Sequence, residues 1–220
     1  MPFYMSQTIP TNDKKRANWS HPIFAATYER LSRSKEERDF MDPLRKETAG
    51  QATGVVLEVG AGTGLNFAFY APEQVERVEA IEPDTAMLRY AGERLKTARV
   101  PITLTQAPAE ELPFADETFD SAVVTLVFCS VSDPARGLRE ILRVLKPGGK
   151  LLMAEHVRAQ GAIAAFVQNA LVPLTTRLMG NCHWNRDTAR AVADVGFQVQ
   201  YKRDLSGMFL PMIVLQAKRT

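Results

Sequence analysis

Cysteine is scarce in this chain, with two residues, Cys129 and Cys182, among 220. Two cysteines cannot build a disulfide framework, so a reducing compartment is the default expectation. Excess charge of one sign is lacking too. Twenty-seven basic residues against twenty-five acidic ones leave a net charge of +2. That balance gives no basic groove and argues against a nucleic-acid partner. Long hydrophobic runs are missing as well. The two longest uncharged stretches, Gly161 to Thr176 and Leu205 to Ala217, are interrupted by Pro173 and Pro211. Both fall short of the roughly 20 residues a membrane-spanning helix needs. Met1 to Pro10 has no charged segment ahead of an apolar one, so no secretory signal is read there. What remains is 45% hydrophobic and 24% charged residues, the composition of one ordinary globular domain.

The first twenty residues are polar, carry Lys14-Lys15-Arg16, and are expected to form a loose arm. His21 to Phe40 reads as one or two helices, with Ile23, Phe24, Tyr28 and Leu31 at helical spacing, and Pro43 to Ala49 as a further helix. From residue 54 strands and helices alternate. Short β-branched runs at 55–59, 75–81, 102–106, 119–126 and 150–154 read as strands. Helices are expected to start at Leu65, and to span 84–97, 134–145, 161–179 and 187–195. Lys146-Pro147-Gly148-Gly149 should stop the helix before it by turn chemistry. Strands at 197–203 and 208–218 are separated too briefly for a parallel crossover, so they should pair as an antiparallel hairpin at a sheet edge. Strands apolar on both faces need helices on both faces. The expectation is an α/β domain, a Rossmann-like doubly wound sheet.

In such sheets ligands lie at the carboxyl ends of the strands. Gly60-Ala61-Gly62-Thr63-Gly64 follows the first strand, with Glu58 ahead of it. Glu82, after the second strand, stands where a carboxylate can accept hydrogen bonds from both hydroxyls of a ribose. The glycines are spaced G-x-G-x-G, unlike the G-x-G-x-x-G of pyrophosphate loops, and no Lys-Ser/Thr pair of a P-loop follows. Leu126 to Ser130 follow the fourth strand, and Glu155-His156 the fifth.

Leu57 to Gly64 resembles motif I of the class I S-adenosylmethionine-dependent methyltransferases. Ala109-Glu110-Glu111-Leu112-Pro113-Phe114 with Phe119-Asp120, and Leu142 to Gly149, resemble two further segments of that family. The resemblance covers about residues 54 to 157. It implies a seven-stranded sheet with a reversed last strand, and S-adenosylmethionine as cofactor, leaving as S-adenosylhomocysteine. It implies that Gly60, Ala61, Gly62, Gly64 and Asn66 approach the methionine part. Glu82 would bind the ribose, Pro83, Ala109 and Glu110 would border the adenine, and Leu126 would face the cofactor. Glu58 would either reach the cofactor's amino group or orient the loop. Pro108 stands where many relatives carry an aspartate for the adenine.

Thr125 to Val131, Glu155-His156-Val157, Gly180-Asn181-Cys182 and Arg186-Asp187 resemble stretches of the alkyl-thiol methyltransferases of the endoplasmic reticulum and their bacterial relatives. The acceptor implied is a small, hydrophobic molecule, a thiol first. A lipid amine of the phosphatidylethanolamine type or a quinone ring carbon is the alternative, and a cofactor-binding sensor or partner subunit the non-enzymatic one. His156 is the candidate base or orienting donor, against a structural histidine bonded to Glu155. His21, Tyr28, His183 and Trp184 are candidates for the acceptor pocket, against plain packing. Cys182 and His183 are adjacent rather than at ligand spacing, so no metal is expected. The apolar row Ile163, Phe166, Val167, Ala170, Leu171 and Leu174 reads as a packed helix, or else as a lid over the acceptor or a contact with a membrane surface. The organisation expected is a single domain over 1–220: an arm and helices (1–53), a cofactor core (54–157), and acceptor-side helices with the terminal hairpin (158–220). The expected location is the cytoplasm, peripheral to membrane at most. The sequence leaves the oligomeric state open.

Overall fold

The computed structural model describes residues 20–178, 180–205 and 211–220. The arm carrying Lys14-Lys15-Arg16, Met179, the turn at Ser206-Gly207 and the expected strand start at Met208 lie outside the described residues.

The chain opens with helices α1 (Pro22–Leu31) and α2 (Lys35–Glu47). The Ser34 side chain caps α2 by accepting from the Glu37 N–H. The break expected between Phe40 and Pro43 does not occur, and α2 runs through Pro43. Met41 and Leu44, three residues apart, both bury against the sheet, and that packing outweighs the hydrogen bond lost at the proline. Seven strands follow: β1 (Gly54–Val59), β2 (Val75–Ile81), β3 (Ile102–Thr105), β4 (Phe119–Thr125), β5 (Leu145–His156), β6 (Phe197–Leu205) and β7 (Met212–Arg219). Helices α3 (Thr85–Leu95), α4 (Pro134–Val144), α5 (Ala162–Leu178) and α6 (Thr188–Asp194) are interleaved with them.

The sheet order is β3-β2-β1-β4-β5-β7-β6. β7 is antiparallel to both its neighbours, and towards β6 the short connection requires it. Alternation along the strands separates the two faces. Val55, Leu57 and Val59 join Ala122, Val124, Leu151 and Met153 in a core closed by Leu138, Ile141 and Val144 of α4 and Val192 of α6. Val56, Val78, Val123 and Leu152 point the other way, towards Phe67, Tyr70 and Ala91. α2 covers the β5–β7 part of that face through Met41 and Leu44. Each fully buried large apolar side chain contributes roughly 1.5–3 kcal/mol relative to exposure.

Two local expectations are corrected. The helix expected from Leu65 is a single 3₁₀ turn, Leu65–Phe69, because Phe67 and Tyr70 turn inward and the chain enters β2 soon after. Lys146 to Gly149 is not a turn outside the sheet but a bulge inside β5. Leu145 pairs with Phe119, and pairing resumes at Lys150 with Ser121. Asp120 fastens this bulge. One carboxylate oxygen accepts from Lys146 Nζ at 2.7 Å, the other from the Val55 N–H at 2.8 Å. Arg143 likewise ties α4 to the loop before β4, donating to the Leu112 and Phe114 carbonyls and to Asp116.

Candidate active site

The glycine turn leaves β1 with positive φ at Gly60 and Gly62. A Cβ on Gly60 would lie 2.5 Å from Val127 Cγ2, so the turn packs directly on the loop after β4. A Cβ on Gly62 would meet nothing within 4 Å. The backbone there faces open space, as a cradle for a ligand does. Arg94 of α3 donates to the Thr63 carbonyl at 2.7 Å and to Glu29 of α1, holding the turn between two helices.

Glu82 follows β2 beside this turn. Its Oε2 accepts from the Gly62 N–H and its Oε1 from the Asp84 N–H, both at 2.9 Å. Burial pushes its carboxyl up to about 7, against the pull of those two backbone donors. Glu58 is buried on β1. Its oxygens accept from Asn66 Nδ2 at 3.1 Å and from the Tyr70 hydroxyl at 2.8 Å. Burial raises it to about 7 as well, with both hydrogen bonds opposing. Asn66 also donates to Thr125 Oγ1, and its own Oδ1 is buried without a partner. Ala61 is buried and donates to the Ile81 carbonyl, tying the turn to β2. Gly64 has the left-handed backbone from which the 3₁₀ turn starts.

The adenine candidates divide. The Pro83 carbonyl accepts from Gln106 Nε2 at 3.0 Å, which brings Gln106 to the end of β2, a neighbour the sequence reading passed over. Ala109 is buried near Gly137 of α4. Glu110 turns elsewhere: its Oε1 accepts from the N–H groups of Ser132 and Asp133, so it holds the loop before α4.

Leu126 closes β4 with a φ of 58° and donates to the Ala154 carbonyl. The loop after it is gripped from two sides. Glu155 Oε1 accepts from the Val127 and Phe128 N–H groups at 2.7 and 2.9 Å. Arg186 Nη1 donates to the Phe128 and Val131 carbonyls. Burial lifts Glu155 to about 7, and its Oε2 is buried and unpartnered.

This grip brings Cys129 up to His156. The segment after α5 adds Cys182, because the His183 N–H donates to the Cys129 carbonyl and Asn181 Nδ2 to the Ser130 carbonyl. The ligand atoms of Cys129, His156 and Cys182 all lie within 4.8 Å of one another. The sequence reading saw no group of metal-ligand side chains, since these three come from separate segments, and the fold assembles one. Both cysteines are free thiols. Burial lowers the His156 imidazole, but the neighbouring Cys129 and Glu155 outweigh it and hold it above its usual value.

The four acceptor candidates have unlike settings. The imidazole and backbone N–H of His21 both meet Asp84 Oδ2 at 2.8 Å, which anchors the start of α1 to the cap of α3. Tyr28 lies beside Phe24 and Arg45, and burial raises its hydroxyl. Phe24 packs on Gly180, where a Cβ would fall 2.8 Å from its ring. α1 therefore leans over the Cys182 segment. His183 bonds to the Asn181 carbonyl through Nδ1. Trp184 is buried against Cys129 and Cys182 with Nε1 donating to the Gln168 carbonyl, so it backs this cluster.

A doubly wound sheet with a reversed β7, an open glycine turn after β1 and a carboxylate after β2 define a class I S-adenosylmethionine-dependent methyltransferase. Residues 57–153 match the family described as Methyltransferase domain. The chain is 32% identical over 182 residues to the thiol S-methyltransferase TMT1B of Rattus norvegicus, covering 80% of this chain and 72% of that one. It is 34% identical over 175 residues to a phosphatidylethanolamine N-methyltransferase of Cereibacter sphaeroides, covering 75% and 83%. The structure of the N-methyltransferase NodS of Bradyrhizobium japonicum with S-adenosylhomocysteine superposes with a TM-score of 0.64 at 18% identity, over 86% of this chain and 90% of that one. The chain belongs to the S-adenosylmethionine-dependent methyltransferase family. Its residues fit the cofactor: an open glycine cradle, a carboxylate beside it, and a buried amide oxygen on Asn66 awaiting a donor.

Proposed function

We propose that this enzyme methylates the sulfur of a small hydrophobic thiol. The carrying observation is the cluster of Cys129 after β4, His156 at the end of β5 and Cys182 after α5, backed by Trp184; Val127, in the same loop as Cys129, packs on Gly60 of the glycine turn. Glu155, the carboxylate beside His156, spends one oxygen on the Val127 and Phe128 N–H groups, which suits it to hold the loop rather than to seat an ammonium. The similarity to a thiol S-methyltransferase supports the same acceptor.

In this reading Glu82 accepts from the ribose hydroxyls, exchanging at least one of its backbone donors for them. Gly60, Ala61, Gly62 and Gly64 let the backbone approach the methionine part, and Asn66 Oδ1 accepts from its ammonium. Glu58 holds Asn66 and Tyr70 rather than ligand. Pro83, Ala109 and Leu126 line the adenine and cofactor side. The bound cofactor supplies a methyl group on a cationic sulfur: a bond forms from the acceptor sulfur to that carbon, and the carbon–sulfonium bond breaks. The pair goes to the departing S-adenosylhomocysteine sulfur. A thiol must shed its proton, and His156 is the side chain placed to accept it. α1, with Tyr28 and Phe24, and the segment around His183 close the acceptor side and exclude water. The whole chain is one domain, with residues 54–157 as cofactor core and the flanks as acceptor side.

A second reading is N-methylation of a lipid amine. It rests on α5, whose Ile163 and Phe166 are 83% and 73% exposed and would suit an acceptor carried in lipid. Among the described residues no helix is long and apolar enough to cross a membrane. The test is product analysis after incubation with methyl-labelled cofactor and an alkyl thiol, phosphatidylethanolamine vesicles or a quinone precursor. A thioether is expected. Labelled lipid amine or quinone without thioether would overturn the thiol assignment.

A further inference from the structure

The cluster of Cys129, His156 and Cys182 has the composition and spacing of a cation site. We propose that these three side chains bind one borderline-soft divalent metal ion, zinc in type, leaving a fourth position for the acceptor sulfur.

Sulfur and imidazole nitrogen select such ions over magnesium or calcium. Zn–S bonds of about 2.3 Å and Zn–N bonds of about 2.0 Å put tetrahedral ligand atoms roughly 3.5–4 Å apart. The three atoms here lie within 4.8 Å of one another, so small side-chain adjustments close the site. A second observation points to a ligand: His156 Nδ1 is buried and has no hydrogen-bond partner. Both thiols are buried and free, with apolar Trp184 and Val172 against them.

The backbone that carries the ligands is already fixed. The His183 N–H donates to the Cys129 carbonyl, Thr175 Oγ1 to the Cys182 carbonyl, and Arg186 to the carbonyls flanking Cys129 at 128 and 131. Those bonds fix the backbone on which Cys129 and Cys182 stand, and pairing with Met212 on β7 fixes that of His156. Three protein ligands with an open fourth position is the arrangement of catalytic rather than structural zinc.

This inference deepens the thiol reading and rests on it for the fourth position. Binding the ion releases one proton from each cysteine to solvent. An acceptor thiol entering the open position loses its proton in the same way, and the metal takes over the ionisation otherwise assigned to His156. The ion would hold the acceptor as a thiolate; as its sulfur bonds the cofactor's methyl carbon, the carbon–sulfonium bond would break with the pair going to the S-adenosylhomocysteine sulfur, and the three side chains would keep the ion.

The full chain is reduced, stripped with a chelator, and titrated with Co²⁺ followed by absorption, then with Zn²⁺ in competition. One ion per chain is expected, with a thiolate-to-cobalt charge-transfer band that Zn²⁺ abolishes. Cys129→Ser, Cys182→Ser and His156→Gln should each weaken binding at least tenfold, with S-adenosylhomocysteine affinity retained as the sign of a folded protein. An alkyl thiol should shift the cobalt spectrum. Absence of the charge-transfer band, or unchanged metal affinity in both cysteine variants, would overturn the site. Thioether formation at full rate by metal-free enzyme would also overturn it while leaving the thiol reading intact. Metal binding without any thioether would sink the thiol reading and keep the site.

Discussion

Removing the Glu82 carboxylate should weaken cofactor binding more than it weakens the fold. Its two oxygens each hold one backbone N–H, from Gly62 and Asp84, at the mouth of the glycine cradle. In the bound enzyme at least one of these acceptors turns to a ribose hydroxyl. A hydrogen bond to a charged group contributes about 1.5–3 kcal/mol. At about 1.4 kcal/mol per tenfold, losing one such bond in Glu82→Ala raises the dissociation constant roughly 10- to 150-fold. Losing a bond to each hydroxyl multiplies that factor. Glu82→Gln keeps a neutral acceptor and should lose less. Calorimetric titration with S-adenosylhomocysteine reads both variants, and thermal unfolding of the ligand-free proteins separates local damage from lost contacts. The carboxyl also sets a pH dependence. Its value in the empty fold is about 7, against 4.5 for the ordinary group. The ionised form is the stronger acceptor, so affinity falls by the ionised fraction, about tenfold between pH 8 and pH 6. Wild-type affinity should follow that slope and Glu82→Gln should flatten it. An unchanged dissociation constant in Glu82→Ala would show that the ribose lies elsewhere.

Three further outcomes follow from neighbouring geometry. Gly62→Ala should fold with a left-handed backbone cost of roughly 1–2 kcal/mol, yet bind S-adenosylhomocysteine poorly, because its methyl enters the open cradle. Gly60→Ala should instead lose stability, because its methyl strikes Val127; urea unfolding and cofactor titration of the pair should give opposite rankings. Arg186→Met frees two carbonyls of the loop carrying Cys129 and should cost about 1.5–3 kcal/mol or more in urea unfolding, with a steeper loss of methyl transfer than of cofactor affinity. For stability against pH, Glu58 and Glu82 both sit raised at about 7 in the fold, from 4.5. The native state therefore binds more protons than the unfolded chain between those values, and the ligand-free enzyme should lose stability as pH rises from about 4.5 to about 7. Thermal melts across that window check the sign, and a melting temperature that climbs instead would contradict it.

The alternation of β-branched runs with amphipathic helices made the sheet legible, and the brief link after Phe197–Leu205 foretold the reversed β7. Motif I was legible as a site because glycine spacing and an acid after the next strand are local features. The two other family segments were legible as markers but not as roles. Asp120 pairs with Lys146, Arg143 holds the Leu112 and Phe114 carbonyls, and Glu110 braces a loop. Their chemistry is scaffolding, which spacing alone does not distinguish from ligand contact. Pro43 and Leu65 misled because tertiary packing, through Met41, Leu44, Phe67 and Tyr70, overrode local helix signals. The cluster of Cys129, His156 and Cys182 was hidden for a different reason. Its members lie after β4, at the end of β5 and after α5, and meet only through the sheet order and the bonds of Arg186 and His183. Each cysteine had stood out within a family-like stretch, but nothing in their spacing pairs them with His156.

The most direct test of the account is a structure of the enzyme with S-adenosylhomocysteine. A Glu82 oxygen should lie within hydrogen-bond distance of a ribose hydroxyl, with the open side of the cofactor sulfur turned towards Cys129, His156 and Cys182. A sulfur facing away from that cluster, with other side chains around its open side, would contradict it.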